Sequence, residues 1–329
     1  MLPETRQGLV TATAVVVATL LAFWLELDNP WWAAFSAHNI SHGDRNFVIR
    51  KGLMRLAGTL FGIWLGYELA LGTHGNVLIQ ATALFVTIYF ATKMRFTSQY
   101  DYAWLIFMMM IVMMMFVGIQ EPVELYDFAY ARILEVSLGV LVCAVINFFV
   151  RGGVAKTSAS APDKAHMVAD IERLALMSGC IVVAVPFLWS WLELPSMVQI
   201  AVTILAMVDR DLLQTREKSG YRILGCFAGG LSGLLVLGLG FDLLWAWTLV
   251  LFVGVALAGR LYHSASRFSY VGKQFNLAFI ITLVTGSGPA ESIMPVLDRF
   301  SGIMGGVVLV VAASFLFAPK RVQEPAGSK

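Results

Sequence analysis

The sequence predicts an all-α membrane protein with about twelve transmembrane segments, built as two parallel tandem repeats of six segments each. Three observations lead there. Hydrophobic residues make up 58% of the chain and charged residues only 13%, against the ~25% charged usual for soluble domains; the mean hydropathy is +0.76. Apolar stretches recur at the length that a hydrocarbon core of ~30 Å demands of a helix, roughly 20 residues. The third observation is an internal repeat at an offset of 167 residues. Trp24-Leu25-Glu26-Leu27 returns as Trp191-Leu192-Glu193-Leu194, and Arg132 with Gly139 returns as Arg299 with Gly306. Arg55 with Gly58, Gly62 and Gly66 returns as Arg222 with Gly225, Gly229 and Gly233. Between these anchors Tyr102, Phe107 and Gly118 match Tyr270, Phe275 and Gly286 at 168. Self-similarity at about half the chain length means two copies of one unit.

The elements follow in order from apolar length and from the charges between them. The first half places spans at 8–27, 48–71, 76–93, 102–119 and 126–150, with a shorter segment at 30–42. The first span is full length behind a single arginine, Arg6, which argues against a cleaved signal peptide. The second half places spans at 170–192, 215–238, 242–262, 270–286 and 292–318, with a shorter segment at 195–208. Pro30 and Pro195 open the two short segments, and proline suits a first helical turn. The expected organisation is a first repeat over 1–151, a polar small-residue linker over 152–165, a second repeat over 166–319 and a tail over 320–329.

Loop charges orient these segments. Arg45, Arg50, Lys51, Lys93, Arg95, Arg151, Lys156 and Lys164 fall on one side, and Asp28, Glu121, Glu124 and Asp127 in turns on the other. In the second half Arg210, Arg216, Lys218, Arg260, Arg267, Lys320 and Arg321 oppose Glu193, Asp242 and Glu291. The positive-inside rule then puts both termini in the cytoplasm. Six segments per half is even, so both halves enter from the same side and the repeats are parallel.

Composition and missing motifs remove several classes of function. The net charge is +2 with no basic run interleaved with aromatics, which argues against nucleic acid. Cys143, Cys180 and Cys226 stand singly in apolar stretches and suggest neither a disulfide nor a metal knuckle. Gly272-Lys273 lacks the upstream glycine and the hydroxyl of a phosphate-binding loop, so ATP hydrolysis is not expected. No nucleophile–base pair or cofactor motif is visible, and the chain does not read as an enzyme. The methionine patch Met108–Met110 and Met113–Met115 reads as adaptable apolar packing or a forgiving lining for a greasy ligand.

Candidate functional residues begin with Arg132 and Arg299, the two basic residues that fall towards the outer half of the spans. An intramembrane arginine is costly and marks a functional demand; its planar fork suits a carboxylate, which makes a small organic anion the natural ligand. Glu135, three residues after Arg132, and Asp298, next to Arg299, offer internal ion pairing or proton coupling instead. The two short segments, at matching places in the halves, point to a central site. The first carries Trp31 and Trp32, which can stack an aromatic ligand or anchor at an interface, and His38 and Asn39, which can hydrogen-bond it or a neighbouring helix. His38 is a further protonatable candidate for coupling. Arg55 and Arg222, near basic-side ends, are expected to snorkel above glycine stripes that serve packing. Snorkelling is likewise expected of Lys273 unless a cavity reaches it.

The run Leu27-Asp28-Asn29-Pro30-Trp31-Trp32-Ala33, then Arg50 and Arg55-Leu56-Ala57-Gly58-Thr59 with its glycines, resembles the fusaric acid resistance protein-like family, which includes aromatic acid exporters. The resemblance covers the first half well and the second as a weaker copy. It implies a bacterial inner-membrane secondary transporter that exports aromatic or other amphipathic organic anions by proton coupling, beside a periplasmic adaptor protein and as a homodimer. Larger relatives carry sizeable cytoplasmic domains, where this sequence has only the short linker. Plant malate channels share the broader superfamily, so an uncoupled anion channel stands as an alternative, as does a non-transporting membrane subunit of an efflux assembly.

Overall fold

The computed structural model describes residues 2–150, 167–194, 196–209, 212–240, 243–285, 288–289 and 294–317. Among these are twelve α-helices. The first repeat comprises α1 (Pro3–Trp24), α2 (Trp31–Ile40), α3 (Arg45–Gly72), α4 (Val77–Thr97), α5 (Asp101–Gln120) and α6 (Leu125–Phe149). The second comprises α7 (Met167–Leu192), α8 (Met197–Met207), α9 (Leu212–Gly238), α10 (Leu244–Tyr262), α11 (Ser269–Leu283) and α12 (Met294–Leu316). A two-residue antiparallel pairing, β1 (Val284–Thr285) with β2 (Gly288–Pro289), is the β structure among the described residues. The expected linker 152–165, Pro195 and the tail 320–329 lie outside them.

Among the described residues seven helical stretches are long and apolar enough to cross a membrane, the most apolar being Asp101–Gln120, Pro122–Phe149 and Ile171–Leu192. The other helices depart from a plain span for visible reasons. α2 and α8 have 10 and 11 residues, and α11 stops after 15, where the chain turns into β1. α3 runs 28 residues but carries Arg55 and Glu68 inside it. Large apolar side chains such as Trp64, Leu78 and Trp245 face outward, as a lipid-facing surface requires.

The sequence repeat is a structural repeat down to single residues. Glu26 (φ 53°) and Glu193 (φ 51°) both adopt the left-handed conformation. Each ends the first helix of its half, with the Leu27 N–H donating to the Ala22 carbonyl at 3.0 Å and that of Leu194 to Trp189 at 3.2 Å. This is the Schellman termination, here without the usual glycine. Asp44, Asn76 and Ser196 cap α3, α4 and α8 through their side chains, supplying acceptors that the first helical turn lacks.

Glycines decide the closest approaches. A Cβ on Gly58 would lie 2.5 Å from the Ala103 carbonyl oxygen, and one on Gly62 2.7 Å from that of Phe107, so α3 lies backbone-to-backbone on α5. Gly225 repeats this on α9, where a Cβ would meet the Val271 oxygen of α11 at 2.6 Å. Gly139 on α6 and Gly306 on α12 face Ala33 and Ser36 of α2, and Ile200 and Thr203 of α8. Small residues allow such contact between helices in a membrane.

The two repeats are interlocked. α1 packs on α10, and in the matching exchange α7 packs on α4; α2 meets α11 as α8 meets α5. At the face that carries the basic loops, Thr11 hydrogen-bonds both Ser41 Oγ at 2.7 Å and His263 Nε2 at 2.9 Å, joining α1, the α2–α3 turn and the end of α10. Lys93 and Tyr89 of α4 both bond Glu172 of α7. Arg95 of α4 donates to the Leu205 carbonyl of α8 at 3.0 Å. α2, α5, α8 and α11 are thereby gathered in the middle, two from each repeat.

Two predictions follow from this packing. Gly62→Leu forces a side chain into the Phe107 backbone and should lower stability by ~1–3 kcal/mol, whereas Gly72→Ala, with nothing within 4 Å of its new methyl, should be neutral. Thermal unfolding in detergent reads both. Burial holds the His263 imidazole down to about 4, below its ordinary value of 6.5. A depressed histidine stays neutral when folded, so its contribution is intact above pH 6.5 and lost as pH falls from there towards 4, with a slope of at most ~1.4 kcal/mol per pH unit. His263→Gln should flatten that slope in melts recorded across the window.

Candidate functional site

The four central helices, with α3 and α9 behind them, enclose a cavity of about 160 Å³. Its end towards the basic face is polar. Asn39 comes from the last turn of α2, Tyr102 and Tyr270 from the first turns of α5 and α11, and Arg55, Arg222 and Lys273 from α3, α9 and α11. The opposite end is apolar and aromatic, where Trp31 and Trp32 open α2 and Met113 lies deep in α5. Trp31 and Trp32 stack with ring centroids 4.4 Å apart, and Phe35 meets Trp31 edge-on at 5.1 Å.

Arg55 and Arg222 depart from the snorkelling expected of them. They are 4% and 6% exposed, and they are turned inward by the helices their glycines bring close. Arg55 Nε donates to Ser36 Oγ at 3.0 Å, and its terminal nitrogen to the Tyr102 hydroxyl at 2.8 Å. Arg222 reaches Thr203 Oγ1, the repeat partner of Ser36, at 3.4 Å. These hydroxyls stand in for water but carry no charge. Among the described residues, no carboxylate forms an ion pair with Arg55, Arg222 or Lys273. Three basic side chains thus meet one cavity without a carboxylate partner among the described residues, and an isolated buried charge costs several kcal/mol that an opposite charge recovers in part.

Arg132 does not line the cavity. It is 1% exposed and forms an ion pair with Glu135 at 2.7 Å; Glu135 is fully buried and also accepts the Asn29 backbone N–H at 2.7 Å. The guanidinium lies 4.5 Å from the Trp32 ring and 4.6 Å from that of Phe128, a cation–π arrangement. The pair therefore sits behind the tryptophans and ties the turn before α2 to α6. The Arg299 side chain lies outside the described residues, and Asp298 is exposed near the start of α12.

Of the other expected residues, Trp31, Trp32 and Asn39 reach the cavity. Asn39 Nδ2 is committed to the Phe35 carbonyl at 2.9 Å, which leaves its oxygen for a ligand. His38 is fully buried, outside the cavity lining, with its ring 5.3 Å from that of Tyr262. The methionines divide: Met108, Met114 and Met115 pack in the core, while Met109, Met110 and Met113 line the cavity. Arg55, Arg222 and Lys273 are the residues that sequence reasoning passed over as site residues. A usable signal was present, because Arg55 and Arg222 are repeat partners in the same sense as Arg132 and Arg299.

Removing one member of the Arg132–Glu135 pair strands the other. Glu135→Ala should cost ~3–5 kcal/mol, and the double change Arg132→Met with Glu135→Leu much less. A thermal-shift double-mutant cycle checks this, and additive losses would show that the two side chains do not act as a pair.

Comparison with known proteins bears on the whole chain. Residues 6–169 match the Fusaric acid resistance protein family and residues 181–313 the Fusaric acid resistance protein-like family. The uncharacterized transporter YdhK of Escherichia coli is 32% identical over 144 residues, 43% of this chain and 22% of that protein. Aluminum-activated malate transporter 7 of Arabidopsis thaliana is 30% identical over 131 residues, 37% of this chain and 26% of its own length. The p-hydroxybenzoic acid efflux pump subunit AaeB of Musicola paradisiaca is 24% identical over 157 residues, 44% of this chain and 24% of its own length. The chain thus aligns with about a quarter of each of these relatives. No solved structure gives a significant match. With both halves matched, the chain belongs to the fusaric acid resistance protein family.

Proposed function

We propose that the protein is a secondary transporter that carries organic anions out of the cytoplasm through the central cavity. The observation that carries this reading is the inward-facing set of Arg55, Arg222 and Lys273 without a carboxylate partner among the described residues. The names of the relatives support it: each is a transporter or an efflux pump subunit, and two name a carboxylic acid. With the basic face in the cytoplasm of a bacterial inner membrane, the cationic end of the cavity faces the compartment from which an exporter loads. The Trp31–Trp32 pair, braced by Arg132, closes the far end.

Transport against a gradient requires coupling, and a proton is the natural partner for a carboxylate cargo. Glu135 and His38 are the buried titratable groups next to moving parts of such a cycle, with Asp298 at the outer face as a third candidate. An uncoupled anion channel uses the same cations, and a subunit role beside a periplasmic adaptor fits the wording of the AaeB name. Flux separates these readings.

Proteoliposomes containing the purified protein should take up or release radiolabelled para-hydroxybenzoate only under an imposed pH gradient. Arg55→Gln and Arg222→Gln should each reduce that flux by about tenfold or more, the loss of a charge-assisted contact of ~1.5–3 kcal/mol. Flux that follows voltage and ignores pH makes the protein a channel. Absence of flux across a panel of organic acids leaves the subunit reading.

A further inference from the structure

A second concavity lies away from the central cavity, on the outer side of α3 and α5. It encloses about 330 Å³ and its lining is apolar throughout. Phe61 and Trp64 of α3 and Trp104 and Phe107 of α5 form its sides, and Gly58 and Ala103, where the two backbones touch, lie at its base. Trp104 is held edge-on by Phe90 at 5.9 Å and by Phe107 at 5.4 Å, which fixes one wall, while Phe61 and Trp64 are each 63% exposed. The groove runs from Ala57 to Leu65, about 12 Å of helix, which fits within the ~15 Å that one leaflet contributes to the hydrocarbon core. α3 starts at the basic face, so this is the leaflet on that side. Arg50 stands about two turns nearer that face, on the same side of α3 as Ala57. It is exposed, donates one N–H to the Gln99 carbonyl at 3.3 Å and, among the described residues, pairs with no carboxylate. Asp101, which opens α5, acts on Lys51.

The second repeat does not copy this arrangement. At the repeat offset Arg50 is matched by Glu217, Phe61 by Ala228, Trp64 by Leu231 and Trp104 by Gly272. The cationic end and three of the aromatic side chains are lost together, although the glycine contact beneath them is kept at Gly225. Charge and groove therefore belong to one feature that the shared backbone does not require. We propose that the groove binds an anionic phospholipid of the basic-side leaflet, one acyl chain lying along Phe61, Trp64 and Trp104 and the headgroup phosphate held by Arg50. Apolar concavities stay dry and take apolar guests. A guanidinium fork matches phosphate oxygens, and basic side chains at the membrane surface draw anionic headgroups. A lipid without net charge fills the same groove but leaves the Arg50 charge unanswered. The site is independent of what the central cavity carries. Gly58 belongs both to the groove and to the α3–α5 contact, so the bound chain covers the outer side of the contact that turns Arg55 inward.

The test is native mass spectrometry of the delipidated full chain, titrated with phosphatidylglycerol and with phosphatidylcholine of identical acyl chains. Wild-type protein should bind one phosphatidylglycerol about fivefold more tightly than phosphatidylcholine, the preference that one surface arginine supplies. Arg50→Glu, which copies Glu217, should abolish the preference, and Arg50→Lys should keep it. Phe61→Ala combined with Trp64→Leu, which copies Ala228 and Leu231, should weaken both lipids alike by several-fold. Arg50, Phe61 and Trp64 are all exposed, so these variants leave the packed core intact, and unshifted thermal melts verify it. Equal binding of the two lipids to wild-type protein, or a preference that survives Arg50→Glu, overturns the proposal. So does unchanged lipid binding in the Phe61 and Trp64 variant. Loss of a dimer mass in that variant, with lipid binding unaltered, makes the groove a contact between copies of the chain and overturns it equally.

Discussion

The close contact of α3 on α5, repeated by α9 on α11, is the constraint on which the rest of this molecule depends. Gly58 and Gly62 let the two backbones touch, and that contact turns Arg55 off the membrane surface and into the protein. Without the glycines a side chain would hold the helices apart, and a long cationic residue at that height would reach for water by snorkelling. The same stripe on α9 does the same for Arg222. Packing and electrostatics are one feature here: the residues that let the helices approach create the charge that the cavity must accommodate.

The interlocking of the repeats gives that charge a shared home. Because α1 leans on α10 and α7 on α4, two of the hydrophobic clusters draw on both halves, while one around Ala18, Ala33 and Val136 lies wholly in the first. The short helices α2 and α8 can stop early because α6 and α12 press on them through Gly139 and Gly306. The Arg132–Glu135 pair belongs to this scaffold. Buried ion pairs contribute little net stability but are costly to break, and this one fixes the turn at Asn29 and the ring of Trp32 together. It positions the aromatic wall without entering the cavity.

Duplication followed by divergence leaves the two halves alike in backbone and unequal in part of the cavity lining. The glycines, Arg55 with Arg222, and the left-handed Glu26 with Glu193 are kept because they hold the backbone or the general charge of the site. Of the residues lining the cavity, Arg55 with Arg222 and Tyr102 with Tyr270 are kept, while others such as Leu105 and Lys273 differ.

The sequence by itself determined the class, the helix inventory, the repeat and the family resemblance. Apolar length and loop charge are local quantities, and an offset of 167 needs no coordinates. Trp31, Trp32 and Asn39 were legible as cavity candidates because their short helix was visibly too short to be an ordinary span. The tertiary structure alone decided which arginines meet the central cavity. Arg132 is surrounded by apolar sequence yet finds Glu135 one turn away, whereas Arg55 lies inside α3 and finds hydroxyls from Ser36 and Tyr102, 19 and 47 residues distant. Whether a charge is satisfied depends on partners brought by other helices. Hydropathy reports how deep a residue lies, and only packing sets what it faces.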